Sequence, residues 1–209
     1  MLPNFFWKAN IDYLDIPANN LIENIKGKSI KKMNRKLRNE ELNRLSTNEF
    51  KVFPKIPVII VLDNIRSAYN VGSVFRTADA FLIKGIYLCG FCPFPPNREI
   101  QKTALGANET VDWKYFPNIL MALGELKNSG YKIVSVEQTL NSIPLNSFIP
   151  QKEIPLAIVF GNEVNGISQE VVDASDYCLE VPQFGTKHSL NISVCAGIVL
   201  WEIFQKTKK

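Results

Sequence analysis

The fold class follows from one stretch of the sequence, Pro57-Val-Ile-Ile-Val-Leu62, a continuous run of mostly β-branched apolar residues. Such a run is typical of a strand buried on both faces, as in a parallel sheet covered by helices on both sides. Further apolar runs predict four more strands, over residues 85–89, 131–136, 156–160 and 177–181.

The segments between these predicted strands have helical patterns. We predict helices over residues 70–81, 97–105, 117–128, 168–174 and 189–205. Asn70 is the expected N-cap of the first helix, and Gly130 is expected to end the third. Strands that alternate with helices indicate an α/β fold, a parallel sheet flanked by helices. In such sheets ligands bind in the loops at the carboxyl ends of the strands.

The chain before the first strand is predicted to be a separate, partly flexible extension. Residues 1–56 are fewer than an independent domain usually needs, and residues 57–209 form the predicted main domain. A short amphipathic helix is predicted over about 34–45. Residues 26–38 hold seven lysines and arginines and no acid. This basic arm suits a polyanion such as RNA, or is a solvated, flexible segment.

Composition excludes several classes of protein. The 209 residues are 46 % hydrophobic and 21 % charged, with a net charge of +4, which is ordinary for a globular domain. No apolar run reaches the roughly 18 residues of a membrane span, and no signal peptide is evident, so we expect a cytoplasmic protein without a membrane partner. One histidine and the lone pair Cys89 and Cys92 make a metal site unexpected and favour reduced thiols.

Three loops have more polar side chains than structural turns need. We name them motif one (residues 63–79), motif two (159–168) and motif three (181–193). They read DNIRSAYNVGSVFRTAD, VFGNEVNGIS and VPQFGTKHSLNIS. Each follows a predicted strand and leads into a helix. Taken singly, Asn70 and Ser189 could be N-caps, the glycines turn formers and Arg76 a surface ion-pair residue.

Together, and in this order, the three motifs resemble the signatures of the SpoU (TrmH-like) family of RNA methyltransferases over about residues 57–205. The resemblance implies a SPOUT fold with a C-terminal trefoil knot, a homodimer, and S-adenosylmethionine as the cofactor. It also implies methylation of a ribose 2′-hydroxyl, in tRNA more than in rRNA. A nucleotide-binding enzyme of another class is disfavoured because the chain lacks the glycine-rich phosphate-binding patterns.

The resemblance also implies residue roles. Arg76 contacts the ribose or phosphate and helps to deprotonate the hydroxyl. Because a guanidinium has a pKa above ~12, we expect it to orient and stabilise charge instead. Asn70 holds Arg76 or a phosphate, and Glu163 pairs with Arg76. Ser189 and Asn191, at the start of the last helix, contact substrate, cofactor or loop backbone.

The cofactor is expected to bind mainly backbone groups of the loops. By position these belong to Thr139, Leu140, Gly161, Val181, Gln183, Ser189 and Leu190. His188 stands where relatives often have Arg or Lys, so it is either a pH-dependent phosphate contact or an exposed loop histidine.

Two alternatives keep the fold and change the role: an RNA-binding protein without methylation activity, and a base methyltransferase of a neighbouring SPOUT group. The last helix is apolar on every face, which predicts that a second subunit covers it, or else the N-terminal segment.

Overall fold

The computed structural model describes residues 35–151 and 153–207, and the chain divides into two compact units, residues 1–44 and 45–209. Most of the basic arm, up to residue 34, therefore lies outside the described residues. In the first unit the described part contains one 3-10 turn, Asn39–Leu42. The Glu41 carboxylate accepts the backbone N–H of Arg38 at 2.7 Å, and Asn43 adopts a left-handed φ of 47°. These two features bound the turn, so the predicted α-helix over 34–45 was wrong.

The second unit contains one sheet of seven strands, and every pairing between neighbouring strands is parallel. The strands are β1 (Ile56–Asp63), β2 (Ile83–Cys89), β3 (Asp112–Phe116), β4 (Lys132–Val136), β5 (Ile143–Pro144), β6 (Leu156–Phe160) and β7 (Tyr177–Glu180). Their order across the sheet is β3-β2-β1-β6-β4-β7-β5. The α/β class with a parallel sheet is confirmed.

Helices cover both faces of this sheet. They are α1 (Thr47–Val52), α2 (Ala68–Ala80), α3 (Arg98–Ala104), α4 (Ala107–Thr110), α5 (Ile119–Asn128), α6 (Gln169–Ala174) and α7 (Ile192–Thr207). The larger core packs α2, α3 and α7 against one face, and the smaller core packs α5 and α6 against the other. No helix in the described ranges is long and apolar enough to cross a membrane.

All five predicted strands are present, and β3 and β5 are additional. Both of these lie at the ends of the strand order. Edge strands are buried less than central ones, and every position of β3 is exposed or half-buried. Neither strand therefore has the continuous apolar run that marked the others.

Two predicted helix starts were wrong. Ser67 is the N-cap of α2, because its hydroxyl accepts the backbone N–H of Asn70 at 3.3 Å. Asn70 therefore lies in the first turn, and its side chain is free to contact other loops. At the last helix, the side-chain oxygen of Asn191 accepts the N–H groups of Ser193 (2.9 Å) and Val194 (3.4 Å). The cap is thus Asn191, and Ser189 precedes the helix in the loop.

Helix α7 is buried on one side only. Ile192, Ala196, Val199, Leu200 and Ile203 lie in the larger core. Val194, Ile198 and Trp201 are exposed to solvent at 52 %, 40 % and 48 %. The ring of Trp201 packs 5.7 Å from that of Phe81 between centroids.

The C-terminal end of α7 is held in place by the ammonium group of its own Lys206. The Lys206 ammonium donates to the backbone carbonyls of Leu145 (3.1 Å), Asn146 (2.9 Å) and Phe148 (2.7 Å). These carbonyls belong to the short 3-10 turn Leu145–Ser147 and the residue after it. A cation is the natural partner for such carbonyl groups at a helix C-terminus.

Candidate active site

Motif one begins at the carboxyl end of β1 with an unusual backbone conformation. Asn64 has a left-handed φ of 54°, and its backbone carbonyl accepts the side-chain amide of Asn162 at 2.8 Å. Its side-chain oxygen accepts the backbone N–H of Phe91 at 3.0 Å. A Cβ on Gly90 would lie 2.2 Å from that same oxygen, so glycine is required there. Asn64 therefore joins the loops that follow β1, β2 and β6.

Motif two is a tight turn closed on itself. The backbone N–H of Asn162 donates to the carbonyl of Gly166 at 3.1 Å, and the reverse bond is 2.9 Å long. The Asn162 side-chain oxygen accepts the N–H groups of Val164 (2.9 Å) and Asn165 (3.2 Å). A Cβ on Gly161 would lie 2.4 Å from the Gly166 backbone. The turn thus projects Glu163 away from its own backbone.

A chain of side-chain hydrogen bonds joins the three motifs. The amide nitrogen of Asn70, in motif one, donates to the Glu163 carboxylate of motif two at 3.2 Å. The amide nitrogen of Asn191, in motif three, donates to the Asn70 side-chain oxygen at 3.3 Å. Three predicted site residues from distant parts of the sequence are thereby brought together at the carboxyl ends of the strands.

Arg76 lies outside this chain. The expected Arg76–Glu163 pair is absent, and this prediction was wrong. Glu163 accepts instead from Asn70 and, at 3.5 Å, from the backbone N–H of Arg66. Arg76 is exposed on α2 and makes no hydrogen bond or ion pair with residues 35–151 or 153–207. Its guanidinium is therefore available to an external anion.

Glu137 is a residue that the motif analysis missed. It follows β4, and its carboxylate accepts the backbone N–H groups of Gln138 and Ile167, both at 2.9 Å. A Cβ on Gly166 would lie 2.3 Å from a Glu137 oxygen. Glu137 thus holds motif two against the loop after β4. The signal in the sequence was an acid directly after a buried strand.

The residues expected to bind the cofactor lie in three neighbouring loops. Thr139 and Leu140 line a crevice of about 460 Å³ beside β7 and α6. Gly161, Val181, Gln183, Ser189 and Leu190 are not among its lining residues. The side chain of Gln138 donates to the backbone carbonyl of His188 at 2.9 Å, which joins the loop after β4 to motif three.

Motif three has the free backbone groups that a cofactor held by backbone contacts requires. Residues 183–187 are all exposed, and their backbone groups make no hydrogen bond with the part of the chain that the structure describes. A Cβ on Gly185 would meet nothing within 4 Å. The loop therefore has room and unpaired donors for a ligand, which fits S-adenosylmethionine.

The four cysteines are free thiols. Burial raises the pKa of Cys92 and of Cys195 to about 11. Both thiols are therefore neutral at physiological pH and unsuited to act as bases.

Comparison with known proteins gives the same family throughout. A family model described as the SpoU rRNA Methylase family matches residues 57–201. A Staphylococcus haemolyticus protein assigned to the TrmH family of tRNA/rRNA methyltransferases is 30 % identical over 151 residues. That match covers 72 % of this chain and 59 % of the relative, so the chain spans less than two thirds of that relative's length.

Two solved structures are similar in both fold and sequence. The TrmH/SpoU tRNA modifying enzyme of A. aeolicus is 27 % identical with a TM-score of 0.66, covering 74 % of this chain and 77 % of that one. An rRNA methyltransferase from Sinorhizobium meliloti, with S-adenosylmethionine bound, is 26 % identical with a TM-score of 0.66, covering 71 % and 56 %. Since the family model spans most of the chain and includes all three motifs, this protein belongs to the SpoU rRNA methylase family.

Proposed function

We propose that this protein uses S-adenosylmethionine to methylate a ribose 2′-hydroxyl of RNA, with tRNA preferred over rRNA. The observation that supports it best is the hydrogen-bonded chain from Asn191 through Asn70 to Glu163. If these residues served only as helix caps and turn formers, their side chains would not need to join the three motifs. The preference for tRNA is supported by the tRNA modifying enzyme of A. aeolicus, most of whose length this chain matches.

When bound, S-adenosylmethionine supplies the methyl group. We assign its binding to the loops after β4, β6 and β7. The backbone groups are those predicted from the sequence, of Thr139, Leu140, Gly161, Val181, Gln183, Ser189 and Leu190, together with residues 184–187. The donors of residues 183–187 have no partner among the described residues, so a ligand there replaces water and displaces no protein contact.

The protein must align the ribose oxygen and hold the charge that develops on it. Arg76 is an exposed cation without an ion pair among the described residues, and a guanidinium binds a phosphate with two parallel hydrogen bonds. We assign it to orienting the nucleotide and stabilising the developing oxyanion. Glu163 fixes the Asn70 side chain, which we assign to contact with an RNA phosphate.

A homodimer with the family's C-terminal knot is part of the proposal. Val194, Ile198 and Trp201 form an exposed apolar stripe on α7, and a second copy of the chain would cover it. The basic arm of residues 26–38 is assigned to RNA contact, and the protein to the cytoplasm.

Methyl transfer to tRNA and to rRNA tests the proposal. The protein is incubated with radiolabelled S-adenosylmethionine and each RNA, and the product is hydrolysed in alkali. A 2′-O-methyl group blocks cleavage at its own phosphodiester, so label is expected in dinucleotides from tRNA. Label in mononucleotides would show base methylation instead. Cofactor binding by calorimetry without any transfer would support the RNA-binding alternative.

A further inference from the structure

The loop after β2 presents aromatic side chains to solvent. Phe91 is 86 % exposed, Phe94 44 % and Tyr115, on β3, 41 %. The Phe94 ring lies 4.8 Å from that of Tyr115 and 6.1 Å from that of Trp113, between centroids. We call Phe91, Phe94 and Tyr115 the aromatic surface. Contiguous exposed apolar groups of this kind mark an interaction site.

Hydrogen bonds hold the backbone of the loop that carries this surface. The Phe91 backbone N–H donates to Asn64 at 3.0 Å, and the Tyr115 hydroxyl donates to the carbonyl of Gly90 at 3.0 Å. The buried thiol of Cys92 donates to the Leu62 carbonyl at 3.2 Å. Because the backbone of the loop is already held, a ligand that binds these rings loses little free energy in ordering the loop.

The aromatic surface is directly connected to the candidate active site. Asn64 accepts from Phe91 through its side chain and from Asn162 through its backbone carbonyl. Asn162 precedes Glu163 in motif two. Asn64 is therefore bonded both to the aromatic loop and to the loop that holds Glu163, at the same edge of the sheet.

Unpaired cations follow the aromatic loop in the chain. Arg98 and Lys102 lie one turn apart on α3, which begins directly after the Asn97 cap. Both are exposed, and neither makes an ion pair or hydrogen bond within residues 35–151 and 153–207. Lys114, by contrast, is paired with Glu125 at 2.6 Å. Exposed aromatic rings followed closely in the chain by unpaired cations supply the two kinds of group that bind single-stranded nucleic acid.

We propose that the aromatic surface stacks on unpaired bases of the RNA substrate, next to the nucleotide that is methylated, while Arg98 and Lys102 bind the adjoining phosphates. The inference rests on the proposed function only in taking RNA as the substrate. It limits that substrate to a loop or single-stranded segment, because a base within a duplex has no free face to offer.

Binding of the full-length protein to RNA tests this directly. The probe is a single-stranded RNA of about 12 nucleotides containing 2-aminopurine, compared with the same sequence in a duplex. Phe91→Ala is expected to weaken single-strand binding about tenfold and to abolish the 2-aminopurine quenching. Phe91→Trp should retain both. Ile149→Ala is the control, since Ile149 is 81 % exposed and lines a crevice at the amino ends of β4 and β6.

Salt dependence separates stacking from phosphate contact. Phe91→Ala should leave the slope of log K against log salt unchanged. The double variant Arg98→Gln, Lys102→Gln should make that slope shallower, because fewer phosphates are neutralised. Unchanged single-strand binding in Phe91→Ala would overturn the proposal. So would full RNA binding in Phe91→Leu, which keeps an apolar group without a ring, because stacking on a base requires the ring. Stacking without methyl transfer would overturn the proposed function alone, and transfer with normal binding in Phe91→Ala would overturn this inference alone.

Discussion

At the residue scale, Arg76 is the group whose role can be tested with least disturbance of the fold. It is exposed and has no ion pair among the described residues. Arg76→Ala should therefore leave the melting temperature and the affinity for S-adenosylmethionine nearly unchanged. Methyl transfer should fall at least ~100-fold, as expected for oriented charge assistance. Single-turnover transfer measures the effect, with the exposed Lys84→Ala as a control. Near-normal turnover would remove Arg76 from the mechanism.

Asp63 gives a prediction about pH at the same scale. It is only 6 % exposed, and burial raises its pKa. Below the unfolded pKa of ~3.9 the carboxyl is protonated in both states and lowers stability little. As pH rises through the higher folded pKa, the buried charge destabilises the fold. Asp63→Asn should therefore raise the melting temperature at pH 7 and have much less effect near pH 4. An equal effect at both pH values would contradict this.

The site could be predicted from the sequence in part. The rule that ligands bind at the carboxyl ends of parallel strands identified the loops that hold motifs one, two and three, and the family resemblance implied contacts between motifs one and two. The pairing inside the site was wrong because Asn70 and Arg76 are six positions apart on α2. Successive helical residues rotate by about 100°, so these two side chains lie on different sides of the helix. Only one of them can face Glu163. The role of Glu137 was hidden because its contact with motif two is to a backbone group, the N–H of Ile167.

At the scale of an element, the turn of motif two depends on a missing side chain. A Cβ at Gly161 would lie 2.4 Å from the Gly166 backbone, and one at Gly124, on α5 and outside the candidate site, would meet nothing within 4 Å. Gly161→Ala should therefore open the turn, destabilise the protein by about 1–3 kcal/mol and weaken S-adenosylmethionine binding. Gly124→Ala is the matched control, with no loss of stability or binding expected. Thermal unfolding and calorimetric titration measure both, and similar behaviour of the two variants would refute the steric argument.

Elements differed in how well sequence patterns identified them. The buried strands β1, β2, β4 and β6 have long apolar runs, because both of their faces pack against helices. The edge strand β3 depends on its pairing with β2, which no local pattern records. The start of α2 was placed three residues too late, since Ser67 and Asn70 are both good N-cap residues. Tertiary contacts of Asn70 decide between them.

At the scale of the whole molecule, the apolar stripe on α7 predicts the oligomeric state. Val194 and Ile198 are one turn apart, and both are exposed. Ile198→Glu should place a charge in the proposed dimer interface and give a monomer at micromolar concentration, because an unpaired buried charge is costly. Light scattering compares it with Ile149→Glu, also at an exposed apolar position. A monomeric wild-type protein would contradict the dimer and favour the N-terminal segment as the cover.

The three carbonyls bound by Lys206 also affect the order in which parts of the newly made chain can fold. The contact joins positions 58 to 61 residues apart, and its cation belongs to the last turn of α7. While the ribosome is still adding α7, every strand of the sheet has already been synthesised, but the turn at residues 145–147 has no cation for its carbonyls. The turn therefore gains its hydrogen-bond donor only when Lys206, the second-last residue of α7, has been added. A chain that ends before Lys206 should therefore contain every strand of the sheet and still be cut faster by proteases at residues 145–147.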